Sequence, residues 1–121
     1  MTLPALKTTI SHEFTFHAAH QLEWHTGKCA HLHGHTYRLE VHVTGRLNEH
    51  GIIIDFDDLA STVTSILDAH FDHKFLNETL PNPTAELIAA ALFSRIEDAG
   101  IPLDQLRLWE TPDASAIVQR Q

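Results

Sequence analysis

From His33 to Arg46 the chain alternates: Tyr37, Leu39, Val41 and Val43 fall on one side of an extended strand, and Arg38, Glu40, His42 and Thr44 on the other. Such a strand has one apolar and one polar face, and it belongs in a sheet covered on a single side. About Ile10 to His20 reads the same way. Ile10, Phe14 and Phe16 alternate with Ser11, Glu13 and Thr15, and the apolar face continues through Ala18 to His20. Residues 21–32, with Gly27 and several polar side chains, read as the loop between the two strands.

The period then changes. After a turn at Asn48 to Gly51 and the short apolar run Ile52 to Ile54, Asp55 is placed to cap a helix that carries Asp57 and Asp58 near its positive end. Leu59, Val63, Ile66, Leu67 and His70 follow at helical spacing, so the helix is expected to reach His70–Asp72. A second helix is expected to start near Asn82-Pro83-Thr84, with Leu87, Ile88, Ala91, Leu92 and Ile96 as its apolar stripe and Gly100 and Pro102 as its stop. Leu103 to Thr111 and Ala114 to Gln119 read as two closing strands joined at Pro112-Asp113. The expected order is β-β-α-α-β-β. This is an α+β fold, a four-stranded antiparallel sheet with two helices on one face. Its open sheet edges invite pairing between subunits, and 121 residues predict one domain over 1–121.

Composition excludes some functions. Sixteen acidic residues against 8 Lys and Arg give a net charge of −8, so the basic footprint of nucleic-acid or anionic-membrane binding is missing. No apolar run approaches the roughly 20 residues that span a bilayer. Met1 to Thr9 has no basic stretch leading into an apolar core, so a secretory leader is not expected. The single cysteine, Cys29, cannot form an internal disulfide, and the cytoplasm is the expected location.

The chain also holds 11 histidines. His12, His25, His42 and His50 read as ordinary polar residues, whereas residues 29–35, Cys-Ala-His-Leu-His-Gly-His, suggest a metal site. Residues two apart on a strand share a face roughly 7 Å apart, so His33 and His35 can converge on one ion. His20, ending the first strand on its apolar face, is a third ligand, as suits a zinc site that keeps an open position. His31 has the same parity, and spacing does not exclude it. Gly34 marks a close approach of backbone or ligand. Cys29 is either a fourth ligand closing a structural site or a free base or nucleophile beside an open one. Asp72-His73 suits either helix-end polarity or a carboxylate–imidazole proton relay, although neighbours within one helix do not face each other. Glu110 follows Trp109 in an apolar strand; buried, it would need donors such as a ring N–H and an amino group. Glu86 suits any first helical turn.

Together these segments resemble the 6-pyruvoyltetrahydropterin synthase/6-carboxytetrahydropterin synthase family. The resemblance rests on Phe14-x-Phe16-x-Ala18-Ala19-His20, Cys29-x-x-Leu32-His33-Gly34-His35, Ile54-Asp55-Phe56, Leu67 to His73, Asn82-Pro83-Thr84-x-Glu86 and Glu110-Thr111. It implies the tunnelling fold and a homohexamer, a dimer of trimers with active sites between subunits. It also implies zinc on His20, His33 and His35, a catalytic Cys29, a relay of Asp72 and His73, a pterin-anchoring Glu110, and substrate contacts near Thr84 and Glu86. The implied reaction converts 7,8-dihydroneopterin triphosphate to 6-carboxy-5,6,7,8-tetrahydropterin, acetaldehyde and triphosphate, on the 7-deazaguanine (queuosine) route. The alternatives are the pyruvoyl-forming reaction without side-chain cleavage, or a non-catalytic zinc protein closed by Cys29. Ala85 departs from the pyruvoyl-type members, which often carry a hydroxyl residue there. The net charge of −8 leaves the triphosphate to local cations, Lys28, Arg38 and Lys74, or to neighbouring subunits.

Overall fold

The computed structural model describes residues 2–121. Strand β1 (Thr8–His20) pairs antiparallel with β2 (His33–Gly45) from Thr8 opposite Gly45 to His20 opposite His33. Helix α1 (Phe56–His70) follows, then a two-residue strand β3 (Lys74–Phe75), helix α2 (Ala85–Asp98), and strands β4 (Gln105–Thr111) and β5 (Ala114–Gln119). The strand order across the sheet is β3-β1-β2-β4-β5.

Five strands form rather than four, and the sheet is mixed. β3 runs parallel to β1 beside Ala18 and Ala19. A segment this short has no readable period; its pairing follows from where α1 delivers the chain. β4 begins at Gln105, two residues later than expected, because Leu103 packs into the core ahead of the ladder together with Ile101.

Alternation sorts the strands as expected. Phe16, Tyr37, Leu39, Val41, Leu106 and Leu108 are buried on the inner face, where Leu59, Val63 and Leu67 of α1 and Ile88, Ala89, Leu92 and Ile96 of α2 cover them in one cluster. Each fully buried Leu or Ile contributes about 2 kcal/mol of transfer free energy. Leu87, expected in the stripe of α2, is exposed, and Ala89 takes the buried position.

The helix ends follow local chemistry. The Asp55 carboxylate accepts from the Asp57 N–H at 2.7 Å, and the Thr84 hydroxyl accepts from the Leu87 N–H at 3.2 Å. Gly100 closes α2 at φ +98°, a conformation suited to glycine. At the other helix the chain leaves α1 at His70, within the expected His70–Asp72, and His73 adopts φ +58°. That turn decides where the Asp72 and His73 side chains can meet.

Candidate metal centre and active site

β1 and β2 end together, and this register builds the centre. His20 lies opposite His33, and His35 lies opposite Ala18, so all three imidazoles leave the inner face at one end of the sheet. Their ring centroids are 4.5, 5.0 and 4.9 Å apart, and one nitrogen from each falls within 4.8 Å of the other two. Among the described residues no other group of three such ligands forms.

The backbone fixes the tautomers. His20 Nδ1 lies 2.7 Å from the Pro83 carbonyl, and His33 Nδ1 lies 2.7 Å from the His31 carbonyl. A carbonyl only accepts, so both Nδ1 atoms carry a proton, which in a neutral ring leaves the lone pair on Nε2. The Nε2 atoms of His20, His33 and His35 are all buried without a hydrogen-bond partner. Burial holds the His35 pKa below its ordinary value against the pull of Glu110, and the neighbouring His20 and His33 act in the same direction as burial. Three converging Nε2 atoms, two of them backed by an Nδ1 hydrogen bond to a carbonyl, fit the donor set of a metal ion. These three residues could hold one. His31, which spacing alone does not exclude, contributes its carbonyl rather than its exposed ring, a role that parity does not reveal.

Glu110 belongs to the same corner. Its Oε1 lies 3.5 Å from His20 Nε2 and 3.8 Å from His35 Nε2. The β4–β5 ladder is irregular between Trp109 and Thr111, so Glu110 sits at a break in the pairing. Tyr37, legible in sequence only as core, lies beneath: its ring is 5.5 Å from His35 and 6.2 Å from His20 and stacks on Phe16 at 5.0 Å. Burial, and beyond it the Glu110 carboxylate, push the phenol far above its ordinary pKa. Of the expected cations, Arg38 lies over the Trp109 ring at 4.6 Å, with Arg107 over the same ring at 4.1 Å.

Cys29 is half-buried in a short 3-10 turn, Lys28–Ala30. The loop is closed by the Leu22 N–H donating to the Cys29 carbonyl at 2.9 Å and is fastened at Trp24, whose indole N–H donates to Asn82 Oδ1 at 2.7 Å. The Cys29 thiol is not among the donor atoms that converge at His20, His33 and His35.

Asp72 and His73 do bond directly, against the expectation for helical neighbours. Asp72 Oδ2 is 2.9 Å from His73 Nδ1, because both residues lie beyond the end of α1. The Asp72 carboxylate also accepts the His17 N–H at 2.9 Å, and the His73 N–H donates to the His17 carbonyl at 2.6 Å. The His17 hydrogen bond, and after it the His73 side chain, hold the Asp72 pKa below its ordinary value. The His73 ring lies 5.8 Å from that of His17, whose Nδ1 is 3.0 Å from Thr36 Oγ1. His17 and Thr36 alternate with Ala18 and His35, so this pair occupies the outer face and the histidine triad the inner one. Among the described residues no hydrogen bond joins the two sets. Thr84 spends its hydroxyl as the cap of α2, and Glu86 is exposed in the first turn.

Comparison with known proteins agrees with this geometry. The family described as 6-pyruvoyl tetrahydropterin synthase matches residues 9–121. The 6-carboxy-5,6,7,8-tetrahydropterin synthase of Synechocystis sp. is 42% identical over 112 residues, which cover 86% of this chain and 87% of the relative. A protein of the same name from Haemophilus influenzae is 38% identical over 130 residues, covering 85% and 92%. The fold superposes on Caenorhabditis elegans 6-pyruvoyl tetrahydropterin synthase with a TM-score of 0.87 at 22% identity, over 99% of this chain and 100% of that one. Among the described residues no helix is long and apolar enough to cross a membrane.

Proposed function

Because the chain belongs to the 6-pyruvoyl tetrahydropterin synthase family, we propose that it is a zinc-dependent lyase converting 7,8-dihydroneopterin triphosphate to 6-carboxy-5,6,7,8-tetrahydropterin, acetaldehyde and triphosphate. The observation that carries this reading is the trio of unpaired Nε2 atoms beside a carboxylate. The names of the relatives from Synechocystis and Haemophilus favour the carboxy-forming branch, which places the product on the route to 7-deazaguanines.

His20, His33 and His35 would hold the ion. Bound there, zinc would supply Lewis acidity to the hydroxyls of the substrate side chain and make the neighbouring carbon-bound proton more acidic. Cys29, as a thiolate, takes that proton. Glu110 accepts hydrogen bonds from the ring N–H and amino group of the pterin and so fixes the ring, with Thr84 and Glu86 in the adjoining contact segment. His73 passes protons, its Nδ1 held by Asp72 so that Nε2 faces outward.

We infer a homohexamer of two trimers in which the Asp72–His73 pair of one subunit serves the triad of another. Two observations support it: His73 lies against the outer-face ring of His17 while the triad lies on the inner face, and the sheet ends in the open strands β3 and β5. A base that must stay a free thiol suits the cytoplasm.

Incubation of the zinc-loaded protein with 7,8-dihydroneopterin triphosphate, with products identified by mass, tests the proposal. The expected pterin carries a 6-carboxy group. An intact pyruvoyl side chain moves the protein to the other branch, and unchanged substrate overturns the reading.

A further inference from the structure

Among the described residues, one more buried side-chain polar atom on the inner face lacks a partner besides the triad. Tyr37 is fully buried, and its hydroxyl makes no hydrogen bond. Such a group destabilises a fold unless something later satisfies it. The pairing of β2 with β4 runs from His42 opposite Gln105 to Arg38 opposite Trp109. One step further, that register sets Glu110 opposite Tyr37 on the inner face, where cross-strand side chains meet.

Glu110 meanwhile points elsewhere, its Oε1 3.5 Å from His20 Nε2. Since His20 Nδ1–H donates to the Pro83 carbonyl, a neutral ring has its lone pair at Nε2, and two acceptors then face each other. A cation bound by the triad occupies that lone pair and leaves the carboxylate in need of a donor. Resting on the zinc and pterin roles just described, we propose that the Tyr37 hydroxyl is this donor: in the metal-loaded chain it holds the Glu110 carboxylate and orients it for the pterin ring. Tyr37 is thus a positioning residue, acting through Glu110.

A double-mutant cycle decides the matter. Tyr37→Phe, Glu110→Ala and the double variant are melted beside the parent, each zinc-free and zinc-loaded. In the zinc-free form Tyr37→Phe leaves Tm unchanged or raises it, because an unpaired hydroxyl is removed. In the zinc-loaded form it lowers Tm by about 4 °C, and that loss disappears in the Glu110→Ala background. Fluorescence titration with 7,8-dihydroneopterin should then show about tenfold weaker binding to zinc-loaded Tyr37→Phe and no further effect of it in the Glu110→Ala background. A zinc-loaded Tyr37→Phe as stable as the parent, or an equal loss in both backgrounds, overturns the inference. So does loss of zinc from Glu110→Ala, which would make the carboxylate a ligand. If instead Glu110→Ala binds dihydroneopterin as tightly as the parent, the pterin role of Glu110 fails, while the melting cycle still decides the hydrogen bond.

Discussion

Stripping the metal from His20, His33 and His35 should destabilise the fold by about 4 kcal/mol. Without an ion, three buried Nε2 acceptors are unpaired. Each such group costs about 1–3 kcal/mol, so the three together set a window of roughly 3–9 kcal/mol. Linkage gives an independent figure: free metal at about 1,000 times its Kd stabilises the native state by about 4.1 kcal/mol, inside that window. In a chain of 121 residues, 1 kcal/mol moves Tm by roughly 3–5 °C, so chelation should lower Tm by about 12–20 °C. The assay is circular-dichroism melting of chelator-treated and zinc-repleted protein, with metal content measured on the same samples. His33→Ala should lose most of the metal-dependent shift. A shift under about 3 °C in the parent, or the same shift in His33→Ala, would refute the reasoning.

Three further outcomes follow from the site. Cys29→Ala should lower turnover by about a hundred- to ten-thousandfold while zinc stays near one per chain; parallel loss of zinc would return Cys29 to the ligand set. Glu110→Ala should weaken pterin binding by about ten- to a hundredfold with zinc retained, and unchanged affinity in a fluorescence titration would remove its anchoring role. Asp72 has a folded pKa below its ordinary value, so its contribution to stability is present above the unfolded value of about 3.9 and is lost as pH falls through the folded one. Melting from pH 5.5 down to pH 3 should therefore show a steeper fall of Tm in the parent than in Asp72→Asn; parallel curves would contradict the hydrogen bonding described.

Strand parity made the convergence of three histidines legible. His20, His33 and His35 share the face of Phe16 and Tyr37, and the full-length β1–β2 register brings them together. What parity cannot carry is the end of an element. Asp72 and His73 read as the last turn of a helix, yet α1 stops at His70 and the left-handed His73 turns the two side chains onto each other. β3 is a strand only because the same turn lays Lys74 and Phe75 along β1. Leu87 fits a helical stripe as well as Ala89 does, and the rotation of α2 after its Thr84 cap exposes the larger residue. The roles of the Pro83 and His31 carbonyls are invisible in sequence, since every residue but its side chain offers the same acceptor.

The most direct test of the central claim is the ratio of acetaldehyde to triphosphate released from 7,8-dihydroneopterin triphosphate by protein of known zinc content. One acetaldehyde is expected for each triphosphate, and neither product once zinc is removed. Triphosphate without acetaldehyde, or equal turnover by the zinc-free protein, would contradict it.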